Sequence, residues 1–181
     1  MACPGLFMEY SIHKAKRLFV SLLKVRCAYI GGFKRETNMR LQTASETISF
    51  IKQLEEESAK FYEDLPRKYS KDEDVWLSFA KENRKYSTQI QRAYQSVITD
   101  AIEGSYAFEL DSDDYTFETE LPANANYSDA LDKAVEIEEK ILKFYEVAAE
   151  QSMDLMADVP RNFVIVAKKR SNRIPKLKSL S

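Results

Sequence analysis

The sequence predicts an all-α protein: an antiparallel four-helix bundle built from a duplicated helical hairpin, with one long crossover between its second and third helices. Three observations predict it. The phrase Glu55-Glu56-Glu57-Ser58-Ala59-Lys60-Phe61-Tyr62-Glu63 recurs 83 residues later as Glu138-Glu139-Lys140-Ile141-Leu142-Lys143-Phe144-Tyr145-Glu146. A weaker echo follows each copy at a spacing of 84, with Asp74-Val75, Phe79, Lys85, Ser87 and Ile90 against Asp158-Val159, Phe163, Lys169, Ser171 and Ile174. Two successive helical stretches repeated together make a duplicated hairpin, whose halves are related by an approximate two-fold. The composition agrees, because four glycines and five prolines in 181 residues leave few helix breakers.

Charge divides the chain into three blocks. Residues 1–40 carry eight Lys/Arg against Glu9 and Glu36, a charge of +6; residues 41–158 carry −15; residues 159–181 carry seven Lys/Arg and no acid. We therefore read 1–40 as a basic N-terminal extension and 41–181 as the bundle. Within the extension, Lys14 to Arg26 interleaves Leu18, Phe19, Leu22 and Leu23 with five basic residues. A natural start at Met39, which opens the repeat architecture, is the expectation for this segment. A targeting peptide or a membrane-surface helix within 10–30, and an ordered additional helix, are the alternatives. No apolar run is long enough to cross a bilayer. Cys3 and Cys27 lie outside the repeats, so no disulfide framework is encoded and a reducing cytoplasm is expected.

The first helix should run from about 45 to 64, with Thr43 or Ser45 as its cap and Pro66 just beyond its end. The second should run from about 72 to 103, capped by Ser70 or Asp72 and stopped at Gly104. Residues 104–127 have no helical period and hold six acids but no Lys or Arg. A link of that length needs a purpose, and we expect it to let the third helix start at the same end as the first. Asp111, Asp113 and Glu118 do not make it a calcium loop, since Thr116 and Pro122 stand where an EF-hand needs its glycine and its last glutamate. The third helix should span about 128–156. The fourth should begin near Asp158, tolerate Pro160 in its first turn and end before Pro175.

Steps of three and four residues trace the inward stripe of each helix. The first reads Ile48, Ile51, Glu55, Ser58, Tyr62, Leu65, and the third reads Leu131, Ala134, Glu138, Ile141, Tyr145, Ala148. Both place a glutamate at the same step and a tyrosine two turns later. The second stripe reads Trp76, Phe79, Asn83, Tyr86, Ile90, Ala93, Val97, and the fourth Phe163, Ala167, Arg170, Ile174, Leu177. Glu55, Glu138, Asn83, Tyr86 and Arg170 thus come to about one level of the interior, with Tyr62 and Tyr145 nearby. A buried carboxylate needs a counter-charge or a metal.

The Glu-x5-Phe-Tyr-Glu phrase, the long link and the segment Phe79-Ala80-Lys81-Glu82-Asn83-Arg84-Lys85-Tyr86 resemble the rubrerythrin family of the ferritin-like superfamily, over roughly residues 41–178. The resemblance implies a ferritin-like bundle and a di-iron or di-manganese centre using one glutamate from each of two helices and a Glu-x-x-His from each of the other two. Glu55 and Glu138 match the single glutamates and would be the metal ligands if a site is retained. The Glu-x-x-His motifs fall on Asn83 and Tyr86, and on Ala167 and Arg170, so neither survives. The sole histidine, His13, lies in the extension, and no Cys-x-x-Cys rubredoxin module is present. Glu82 should point about 100° away from the motif face. Arg170 places a fixed positive charge where a ligand belonged. We therefore expect it to replace the metal, paired with Glu55 and Glu138, while Asn83 and Tyr86 complete the hydrogen bonds.

These residues favour a non-catalytic structural or interaction protein with no resident cofactor and an unknown protein partner. The alternative is a residual iron- or manganese-binding protein with peroxide or oxygen chemistry. A third reading, a nucleic-acid or membrane binder using Arg161, Lys168, Lys169, Arg173, Lys176 and Lys178, has no reading motif behind it. The resemblance also implies a homodimer. No phosphate-cradling glycine loop, dinucleotide fingerprint or Ser/Cys–His pairing is found in the bundle region.

Overall fold

Strand β1 (Arg40–Thr43) ends at the residue that starts helix α1 (Ala44–Lys68). The Thr43 hydroxyl accepts from the Glu46 backbone N–H while the Glu46 carboxylate accepts from the Thr43 backbone N–H at 2.9 Å, a reciprocal capping box. The computed structural model describes residues 39–97, 106–153 and 158–180. The basic segment 1–38, including His13, Cys3 and Cys27, lies outside the described residues. The described chain is mostly helical: α2 (Glu73–Val97), α3 (Tyr127–Ser152), α4 (Val159–Ser171) and the short α5 (Arg173–Lys178) follow α1. None of these helices is long and apolar enough to cross a membrane.

Several boundaries differ from the sequence expectation. Helix α1 runs through Pro66 to Lys68, because buried Tyr62 and Leu65 keep the last turn packed and the Tyr69 N–H still reaches the Leu65 carbonyl at 2.7 Å. Asp72 does not cap α2 with its side chain. It sits at φ 59°, a left-handed conformation that Asp tolerates, and its carboxylate accepts from the Tyr127 hydroxyl at 2.6 Å. Helix α3 begins one residue early, with Asn126 and Asp129 forming a second capping box. The described part of α2 ends at Val97; the expected stop at Gly104 lies outside the described residues.

The acidic link is not featureless. Its first part forms strand β2 (Tyr106–Asp111), antiparallel to β1 in the register Arg40↔Asp111 and Leu41↔Leu110, with an irregularity between Leu41 and Thr43. A 3-10 turn, Ser112–Asp114, follows. Leu41, Phe108 and Leu110 are buried, and alternation from Phe108 to Leu110 across exposed Glu109 is the strand signal that the helix-period reading passed over. The ribbon closes one end of the helices. The Gln151 side chain pairs with both the N–H and the carbonyl of Glu109, occupying a free edge of β2.

From there the link travels the full length of the helices. Tyr115 packs edge-on against Phe144, Lys140 donates to the Thr116 carbonyl, and Tyr69 donates to the Ala125 carbonyl at 2.7 Å. Helix α3 therefore starts beside the C-terminal end of α1, not at the end where α1 starts. Because α2 returns the chain to that first end, only a full-length crossing lets α3 run antiparallel to α1. Helix α1 packs on α2, α3 on α4 and α5, and α2 on α4. Phe50, Ile51, Leu54, Trp76, Ile90, Ile137, Ile141 and Phe144 fill the space between them.

The spacing predicts a fourth helix that continues unbroken to just before Pro175, and α4 is shorter than that. It breaks at Asn172, which closes α4 and opens α5, and Pro175 lies within α5. The break changes which residue turns inward. Ile174 is half-buried, whereas Arg173 is buried with only 4% of its surface exposed.

Candidate functional site

Glu55, Ser58, Asn83, Glu138 and Arg170 are each completely buried, and Tyr62, Tyr86 and Tyr145 nearly so. All belong to one polar cluster in the middle of the apolar core. The Arg170 guanidinium lies between the two repeat glutamates, donating from Nη2 to Glu55 Oε2 at 2.5 Å and from Nη1 to Glu138 Oε2 at 2.8 Å. The tyrosines are exchanged between repeats. Tyr145 donates to Glu55 Oε1 and Tyr62 to Glu138 Oε1, both at 2.7 Å. This crossing follows from the chain direction. Each tyrosine stands seven residues, close to two turns, after the glutamate of its own helix. Running α1 and α3 in opposite directions brings each hydroxyl level with the glutamate of the other helix.

Aromatic packing holds the tyrosines in place. Tyr62 stacks on Trp76 at 5.9 Å and meets Phe79 edge-on at 5.6 Å, while Tyr145 lies 5.9 Å from Phe163. Phe79 and Phe163 are equivalent positions of the repeat, so the two-fold extends to the supports of the cluster.

A second guanidinium completes the cluster. Arg173 Nη1 donates to Glu138 Oε1 at 3.1 Å and to Asn83 Oδ1 at 2.7 Å. Its Nη2 reaches Glu82 Oε2 at 2.6 Å and the Tyr86 hydroxyl at 3.4 Å. The guanidinium also lies over the Phe79 ring at 4.4 Å and the Tyr86 ring at 5.2 Å. Asn83 donates onward to Ser58 Oγ at 2.8 Å, and Ser58 to the Glu55 carbonyl. Asn83 and Tyr86 thus reach the Glu138 carboxylate through Arg173, Ser58 links Asn83 only to the Glu55 backbone, and neither Asn83 nor Tyr86 hydrogen-bonds to Arg170. Glu82, expected to face away, is half-exposed yet long enough to bond both Arg173 and Tyr86.

Arg173 is the functional-site residue that the sequence reading placed wrongly, on a basic outer surface. No spacing signal marks it, because its inward turn follows from the helix break at Asn172, which separates it from the helix of Arg170. Of the other basic residues on that supposed surface, Lys178 is drawn to Glu139 at 3.7 Å and Lys169 lies over the Tyr86 ring at 5.2 Å.

Electrostatics separates the two glutamates. Burial raises Glu55 above the ordinary carboxylate range, and Arg170 and the Tyr145 hydroxyl offset this only in part. Burial also pushes Glu138 upward, but Arg170 and Arg173 together outweigh it and hold the group below its ordinary value. Burial and the adjacent carboxylates raise Tyr62 and Tyr145 well above the normal phenol range, so both remain donors. Tyr86 is pushed up to about 12, chiefly by burial. Arg170 stays charged, because the attraction of Glu138 and Glu55 exceeds its own desolvation.

The donor set does not fit a dinuclear metal centre. All four carboxylate oxygens of Glu55 and Glu138 already accept from Arg or Tyr donors, and a cationic guanidinium stands between them. Among the described residues no group of three or more His, Cys, Asp or Glu is arranged to hold a metal ion. Chemically the cluster is a set of hydrogen-bond donors facing two carboxylates, with its charges mutually compensated. Fold and site together define a mostly helical protein with an ion-paired polar centre. Comparison with protein-family models, curated proteins and solved structures gives no match.

Proposed function

We propose that this chain is a divergent ferritin-like bundle of the rubrerythrin type that works as a non-catalytic structural or interaction protein, with an arginine ion-pair centre standing where a dinuclear metal site would be. The observation that carries this reading is the contact of one guanidinium with both repeat glutamates, at 2.5 and 2.8 Å. A bound di-metal centre would need those same oxygens and would bring further positive charge against Arg170. The duplicated glutamates and the long link support the ancestry; Arg170 and Arg173 support the loss of metal chemistry.

Metal uptake tests this proposal. The full chain is loaded anaerobically with Fe(II), and in parallel with Mn(II), then desalted and assayed for bound metal. The expected result is less than one ion per chain in either case. Two tightly held ions per chain would overturn the proposal in favour of iron or manganese bound through Glu55 and Glu138.

A further inference from the structure

Helices α3 and α4 leave a shallow groove of about 380 Å³ on their outer side. Its lining includes Met153, Val164 and Ala167, and two of these are unusually exposed for apolar side chains, Met153 at 66% and Val164 at 54%. Elsewhere among the described residues large apolar side chains are mostly covered, so the concentration of exposure here is a feature of this face. The rims carry opposite charges. Glu146 and Glu150 line the α3 side, and Lys168 lines the α4 side. None of these three has an ion-pair partner among the described residues, although Glu139, two turns earlier on α3, pairs with Lys178 at 3.7 Å.

An apolar strip with an acidic rim on one side and a basic rim on the other is complementary to itself. A two-fold axis running along the helices lays the α3 of one copy over the α4 of the other. Heights along the axis are preserved, so Lys168 of each copy comes level with the other copy's glutamates. A two-fold axis across the helices would instead set acid on acid. We propose that the α3–α4 face is an isologous homodimer interface with its axis parallel to these helices, closed by Met153 and Val164 and oriented by Glu146, Glu150 and Lys168. This assignment does not depend on whether the buried cluster ever held metal.

The test uses sedimentation of the full chain at tens of micromolar. The wild-type chain should sediment at twice the chain mass, and Val164→Glu at the mass of a single chain. Lys168→Glu alone, and Glu146→Lys/Glu150→Lys alone, should each sediment as single chains, because each makes both rims alike in sign. Mixed in equal amounts, those two charge variants should restore the two-chain species. Circular dichroism establishes that each variant keeps its helix content, and the exposed charge changes keep the test open if Val164→Glu fails to fold. A single-chain wild type overturns the proposal. So does a Val164→Glu variant that is folded and still dimeric, or a mixture of the charge variants that stays monomeric.

Discussion

At the scale of residues, the centre of this protein rests on one side chain more than on any other. Arg170 neutralises two carboxylates that have no water to turn to, and removing it would leave Glu55 with only the Tyr145 hydroxyl. Arg170→Met should therefore lower stability by about 3–5 kcal/mol, the usual cost of stranding one side of a buried ion pair. Chemical denaturation measures this, and an unchanged unfolding midpoint would rule the ion-pair role out. The glutamates should respond to pH in opposite senses. Glu55 is raised, so on acidification the folded state takes up its proton before the unfolded state does, and stability rises as pH falls toward the ordinary carboxylate value. Glu138 is lowered, so its contribution is full above the unfolded value and lost as pH falls through its folded value. Glu55→Gln should remove the gain on the upper side, whereas Glu138→Gln should flatten the loss on the acid side. Melting curves across the acid range read both, and identical pH profiles for the two variants would refute the assignment. Much of this cluster is legible in the sequence, because a duplicated motif marks Glu55 and Glu138 as equivalent and the 3-4 stripes put Arg170 at their level. Arg173 and Glu82 are not legible in that way. Their inward reach depends on a helix break at Asn172 and on side chains long enough to leave their own face.

At the scale of elements, the helices follow from local chemistry and the connections do not. Caps, apolar spacing and the scarcity of glycine place all four long helices within a few residues of their observed starts. The ribbon was missed because it joins residues about 70 apart, and neither strand has enough length to announce itself alone. The direction of the crossing was missed for a related reason: a link's composition does not say which end of a domain it reaches. The Thr43 box joins the two kinds of element, because the same residue pairs in β1 and starts α1. Thr43→Ala should cost about 0.5–2 kcal/mol, within the range for lost N-caps. The loss should appear as faster amide hydrogen exchange in the first turn of α1, with the α3 amides little changed. Equal acceleration in both helices would mean that the cap acts on the whole domain and not on its own helix end.

At the scale of the whole molecule, stability alone does not explain a charged centre. Two carboxylates and two guanidiniums have been taken from water, and the Nε–H groups of Arg170 and Arg173 have no partner among the described residues. Desolvation on that scale is commonly only broken even by the attraction it permits. What the centre does specify is the relation between the two hairpins. The apolar stripes of α1 and α3 would tolerate more than one direction and register, but the exchanged pairs would not. A parallel arrangement would set glutamate beside glutamate and tyrosine beside tyrosine. A slip of one turn would strand both carboxylates from their hydroxyls. Replacing the set together, with Glu55→Leu, Glu138→Leu, Tyr62→Phe, Tyr145→Phe, Arg170→Met and Arg173→Met, removes the buried charges and the hydroxyls that serve them while keeping apolar volume. Such a variant should be as stable as the wild type, or more stable by about 1–4 kcal/mol, in contrast to Arg170→Met alone. It should also lose uniqueness, giving broadened or doubled amide resonances where the wild type gives one set, because nothing polar then selects the antiparallel register. A single sharp set of resonances at undiminished stability would show that apolar packing already chooses the arrangement. A variant far less stable than the wild type, with no second form, would instead make the ion pairs a net source of stability.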